Sequence, residues 1–147
     1  MNKEIIIRNA ILTPDGTYLR SYHVHDYKAH KDAVTGEVYV VDGGNEYLRR
    51  SINEVPPEDL TVYLSDDFQI VRMAFVWKSY GKNLEHAPNG IYIALCDMTD
   101  DHIESILTTQ NHIRGTFVEK LFKDELKYRL EHRRFILKYR LEHRRFI

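Results

Sequence analysis

Between Ser21 and Arg50 the chain concentrates side chains able to hold ions. His23, His25 and His30 lie beside Asp26, and Tyr22, Tyr27, Tyr39 and Tyr47 are interleaved with a Gly43-Gly44 pair and an Arg49-Arg50 pair. On an extended strand His23 and His25 point to one face. Asp26 and His30 then complete a donor set of the size zinc uses. The alternative function this supports is a metal-dependent hydrolase. Against it, there is no H-E-x-x-H helix and no cysteine pair, and two solvated histidines on a strand explain the same spacing.

Asp42-Gly43-Gly44 followed by Tyr47-Leu48-Arg49-Arg50 is a second candidate. Glycines let backbone approach a ligand closely. Arginine grips phosphate with two parallel hydrogen bonds, and tyrosine stacks on bases. On a strand Arg49 and Arg50 face opposite ways, so only one serves a given pocket. The G-K-[ST] signature of a phosphate loop is absent, and a Gly-Gly hairpin turn with solvated arginines is the simpler reading.

Trp77-Lys78-Ser79-Tyr80-Gly81-Lys82-Asn83 is a third, with an aromatic ring, two lysines and a glycine able to close over an anion. The same residues fit a helix end with Trp77 in the core and Gly81 as a left-handed cap. His102, Gln110, Asn111, His112 and Arg114 form a fourth group. There Arg114, near a helix start, would join free N–H groups on a phosphate. With Tyr92 as a further ring that could stack on a base, these give a ligand-binding set of Tyr47, Arg49, Arg50, Trp77, Lys82, Asn83, Tyr92 and Arg114.

No Ser/His/Asp or Cys/His arrangement stands out, so no catalytic residue and no cofactor is expected. Cys96, between Leu95 and Met98, reads as a buried thiol. Asp66-Asp67 and Asp100-Asp101 sit where helix starts explain them.

The elements that would position these groups come in two blocks. Strands are expected at Glu4–Leu12, Thr17–Val24, Tyr27–Lys31, Glu37–Asp42 and Tyr47–Ile52. Turns at Thr13-Pro14-Asp15-Gly16, Val34-Thr35-Gly36 and Gly43-Gly44 join them into one antiparallel meander. Pro56-Pro57 marks a linker, and Leu60–Leu64 a further strand. A helix is expected from Ser65, as cap, through Trp77. Gly90–Leu95 returns to strand, Thr99 caps a helix over Asp100–Gln110, and a third helix runs from about Ile113 to the end. Strands first and helices last is an α+β arrangement with a long amphipathic C-terminal helix.

The 147 residues are 43% hydrophobic and 29% charged, which suits one globular domain. A single α+β domain is expected over 1–136. A lone cysteine, with no apolar run of membrane-spanning length, points to the cytoplasm.

Residues 137–147 repeat residues 126–136 letter for letter. Eleven residues make about three helical turns, so Leu126, Leu130, Leu137 and Leu141 share one stripe. The repeat reads as a helical extension from a recent duplication or an artefact at the chain end. The net charge of −1 divides into −7 over residues 1–125 and +6 over 126–147. A basic C-terminal helix is the feature a nucleic-acid or host-protein binder would use, although the acidic body opposes nucleic acid.

The pattern Asn9-Ala10, Asp15-Gly16-Thr17, His23-x-His25-Asp26-Tyr27, Val41-Asp42-Gly43-Gly44-x-x-Tyr47-Leu48-Arg49-Arg50, Trp77…Tyr80-Gly81-Lys82-Asn83 and His102-Ile103-x-x-Ile106-Leu107-x-Thr109-Gln110 resembles a family of small phage-encoded proteins. The element order is similar to that of the Thoeris anti-defence sponges. The resemblance implies a non-enzymatic homo-oligomer, dimer or hexamer, that sequesters a cyclic ADP-ribose-type signal and possibly also cyclic oligonucleotides in the host cytoplasm.

Overall fold

The computed structural model describes residues 4–80 and 89–144, with side chains as far as Arg133. The architecture is α+β, as the element order implies. Where one domain over 1–136 is expected, the chain divides into two compact units, Met1–Phe75 and Val76–Ile147.

The first unit is built on β1 (Ile6–Leu12), whose apolar residues are buried almost without interruption. Such a run, rather than strict alternation, marks a strand covered on both faces. β1 pairs antiparallel with β2 (Tyr18–Ser21) on one side. On the other side it pairs with two short strands, β6 (Glu58–Asp59) and β7 (Val62–Tyr63), across an irregularity between Ile6 and Arg8. A separate antiparallel sheet orders β3 (Lys28–Lys31), β4 (Val38–Asp42) and β5 (Arg49–Arg50). The expected single meander is thus two sheets. Ile11 of β1, Tyr39 and Val41 of β4, and the partly buried Leu19 of β2 join them in one apolar cluster. The break follows from β2 ending at Ser21, whose hydroxyl donates to the carbonyls of His23 and Asp26 and turns the chain.

Helix α1 (Phe68–Ala74) closes the unit. Its cap residue is Asp67 rather than Ser65, and it stops three residues short of Trp77 because Phe75 takes an extended conformation. Arg20 is buried and donates to the α1 carbonyl of Ala74 at 2.9 Å, satisfying an otherwise open helix end.

The second unit opens with the hairpin of β8 (Val76–Ser79) and β9 (Ile91–Ala94), with Trp77 opposite Ile93 and Lys78 opposite Tyr92. A 3-10 turn at Leu95–Asp97 leads to α2 (Asp100–Thr109). Thr99 caps α2, its hydroxyl accepting from the His102 N–H. After a second 3-10 turn at Asn111–Ile113, α3 runs as one helix over Phe117–Arg144. Among the described residues, Leu95, Met98, Ile103, Ile106, Ile113, Leu121 and Phe122 are this unit's buried apolar residues. No helix among the described residues is long and apolar enough to cross a membrane.

Candidate functional site

Helix α2 carries His102, Ser105, Ile106 and Thr109 at i, i+3, i+4 and i+7, one face of an α-helix. The next residue, Gln110, caps the helix end. In most globular helices a stripe with this spacing is apolar and packs on the core. Here three of its four members are polar. They line a cavity of about 370 Å³ whose opposite wall is Trp77, Lys78, Ser79 and Tyr80 of the first hairpin strand and its exit. That volume falls within the range of small-molecule sites, roughly 300–1,000 Å³.

The wall is fixed by aromatic packing. Trp77 meets Phe122 edge-on, with centroids 5.5 Å apart, and stacks on His112 at 6.3 Å. Lys78 sends its ammonium 5.4 Å from the Tyr92 ring and 5.8 Å from the Tyr80 ring, a cation–π arrangement that holds the charge in place. Across the floor, Ser79 Oγ and His102 Nε2 are 3.5 Å apart, at the limit of a hydrogen bond. The cavity therefore offers one lysine cation, several hydroxyl groups, one side-chain amide, and the rings of Trp77 and Tyr80.

Of the expected ligand set, Trp77 lines this cavity, whereas Tyr92 does not and its ring lies 5.4 Å from the Lys78 ammonium. Lys82 and Asn83 lie outside the described residues. Arg114 is exposed and does not line the cavity. It falls in the turn before α3, where Gly115 N–H already donates to Glu119.

Tyr47, Arg49 and Arg50 belong to the first unit. Arg50 is a structural residue. Its guanidinium donates to Asn9 Oδ1 at 2.8 and 3.2 Å, to Thr61 Oγ1 at 2.9 Å and to Asp59 Oδ1 at 3.3 Å. Arg49 is largely exposed, 3.8 Å from Asp42.

The Gly-Gly pair is structural too. Both glycines have positive φ, and a Cβ on Gly43 would fall 2.0 Å from the Tyr47 carbonyl oxygen. One on Gly44 would fall 2.3 Å from the His23 backbone. Only glycine fits here, for the sake of the chain's own turn.

The histidine cluster does not assemble as the spacing implies. His23 and His25 are exposed on a turn, not paired along one strand face. Asp26 accepts from the Tyr22 N–H and from Lys28. His30 turns instead to Asp15, 2.8 Å away.

Asp15, His30 and Asp32 are, among the described residues, the one group of three or more His, Cys, Asp or Glu with donor atoms within 4.8 Å of one another. Its carboxylate oxygens are already engaged. Asp15 accepts from Thr13, Thr17, His30 and Ala33, and Asp32 from Asp15, Val34 and Thr35. The cluster reads as a latch between the β1–β2 and β3–β4 turns.

Cys96 is half-buried rather than buried. Ser105 is a lining residue that the sequence reading does not single out, and Thr109 enters that reading only within the resemblance pattern, although both lie at helical spacing from His102. Compared with known proteins, the chain matches no family model, no curated protein and no solved structure.

Proposed function

We propose that this chain is a binding protein that captures a nucleotide-class anion in the α2–hairpin cavity and returns it unchanged. The observation that carries the reading is the polar face of α2, His102, Ser105 and Thr109, set opposite Trp77 and Tyr80 across a cavity of about 370 Å³. Aromatic faces suit a base, with stacking worth about 1–3 kcal/mol per base. Lys78 suits a phosphate, and the hydroxyl groups suit ribose. A signal sponge acting in the host cytoplasm against an immune nucleotide, of cyclic ADP-ribose type or a cyclic oligonucleotide, needs these properties and no catalytic group. A dimer or hexamer of the chain would be the working form.

The test is a thermal-shift panel of cyclic ADP-ribose isomers and cyclic dinucleotides, followed by chromatography of the ligand released on denaturation. The reading expects a raised Tm with at least one of them and intact ligand. It expects Tyr80→Ala, at an exposed position, to weaken binding by roughly five- to a hundred-fold. A cleaved ligand would instead make Ser79 and His102 the residues of an enzyme. No shift with any nucleotide would end the proposal.

A further inference from the structure

The first unit holds a second cavity, of about 290 Å³, lined by Glu4, Ile6, Tyr47, Leu48 and Tyr63. Its chemistry is the reverse of the α2 cavity. None of the five lining side chains is cationic. Two are tyrosines, two are aliphatic and one is a carboxylate. Ring faces and a carboxylate attract a cation, and ring attraction grows when the cation sheds water. Aliphatic walls suit a methylene stem beneath that cation.

The walls are held rigidly. Ile6 is buried and sits opposite Tyr63 in the β1–β7 pair. The Leu64 N–H donates to the Ile5 carbonyl at 2.9 Å, keeping these strands in register. Ser65 Oγ donates to one carboxylate oxygen of Glu4, orienting that group. Tyr47 and Leu48 come from the turn that Asn9 anchors through hydrogen bonds to the carbonyls of Asp42, Gly44 and Tyr47. A buried asparagine and two left-handed glycines thus fix a turn whose residues 45–49 are all exposed. Preorganisation of this kind lowers the entropic cost of binding.

We propose that this cavity is a binding site for a primary alkylammonium group, as carried by a lysine side chain or a free aliphatic diamine. The ammonium would lie between the tyrosine rings and Glu4, with its methylenes against Ile6 and Leu48.

The test titrates the full chain, by NMR chemical shift, with three probes: N-acetyl-lysine methylamide, the same compound acetylated on its side-chain amine, and cadaverine. At least one of the two cations is expected to saturate shifts at Tyr47, Leu48 and Tyr63, and the neutral compound is not. Lysine amide alone would assign the site to a protein lysine, cadaverine alone to a free amine. Glu4→Gln and Tyr47→Leu, both at exposed positions, are each expected to weaken the cation by roughly three- to thirty-fold. Binding of the neutral compound as tightly as the cations, or no saturable shift with either cation, would overturn the proposal. Because the probes and cavity differ from those of the nucleotide test, either proposal can fail alone.

Discussion

Asn9 has no solvent exposure, and its amide donates to three carbonyls of the Asp42–Tyr47 turn while its oxygen accepts from Arg50. In sequence it is a polar residue inside an apolar strand, named only within the resemblance pattern, and Arg50 is the residue that looks functional. The structure inverts this because the buried carbonyls of Asp42 and Gly44 need a donor, and the Asn9 amide supplies it. Chemistry-bearing residue types were therefore easy to list from the sequence. Which of them face outward depended on long-range partners that spacing does not encode. Asn9→Ala takes the donor from two buried carbonyls and strips Arg50 of two charge-assisted bonds. It is expected to lower unfolding stability by about 2–4 kcal/mol, read as a shifted urea midpoint with the nucleotide Tm increment retained in the folded fraction. A loss under about 0.5 kcal/mol would mean the turn does not depend on Asn9.

At the level of elements, α2 was legible because its start is signalled locally, by Thr99 as cap and two aspartates in the first turn. The end of α1 was not. Phe68, Val71, Ala74 and Phe75 continue a helical period, yet Val76 and Trp77 pair with Ala94 and Ile93 in a hairpin that only the fold provides. The two N-terminal hairpins illustrate the same dependence through charge. Asp15, from the β1–β2 turn, accepts from Ala33 and His30 of the β3–β4 hairpin, and donates its own N–H to Asp32 at 2.8 Å. The Ala33 N–H first, then the Thr17 hydroxyl, His30 and Thr13, hold the Asp15 carboxyl well below the usual carboxylate range. A folded-state value below the unfolded one, about 3.9, means the ionised group stabilises the fold. That contribution is present above about pH 4 and is lost as pH falls further. Urea midpoints measured from pH 7 down to pH 2 should fall for the wild type. They should fall less steeply for Asp15→Asn, which begins from a lower midpoint at neutral pH. Equal slopes would show that the latch carries no pH dependence.

For the molecule as a whole, the sequence conveyed the α+β class and the long terminal helix, because both rest on the order and period of apolar residues. It did not convey the division at Phe75–Val76, which falls within a continuous apolar run. Nor did it show what holds the first half of α3. Arg129 answers that. It donates to Asp100 at 2.7 Å, to the Leu95 carbonyl at 3.0 Å and to the buried Glu125 at 2.7 Å, and Arg133 adds a bond to Asp100 at 2.9 Å. Desolvation of Arg129 is outweighed by those carboxylates, so its pKa is raised. Leu130 is half-exposed, and every described side chain from there to Arg133 is exposed. Among the described side chains, the anchoring groups thus lie in the first copy of the repeat or before it. Deleting residues 137–147 removes a net charge of +3 and takes the chain from −1 to −4, yet removes none of these bonds. The shortened chain should keep its Tm within a few degrees and its nucleotide response unchanged, while losing helical ellipticity in proportion to the residues removed. A large fall in Tm on deletion would place stabilising contacts in the second copy, and would make the repeat part of the folded unit rather than an extension of it. Arg129→Ala is the matching control in the full-length chain. It takes a charge-assisted partner from the buried Glu125, so it should destabilise by about 1.5–3 kcal/mol even with both copies present.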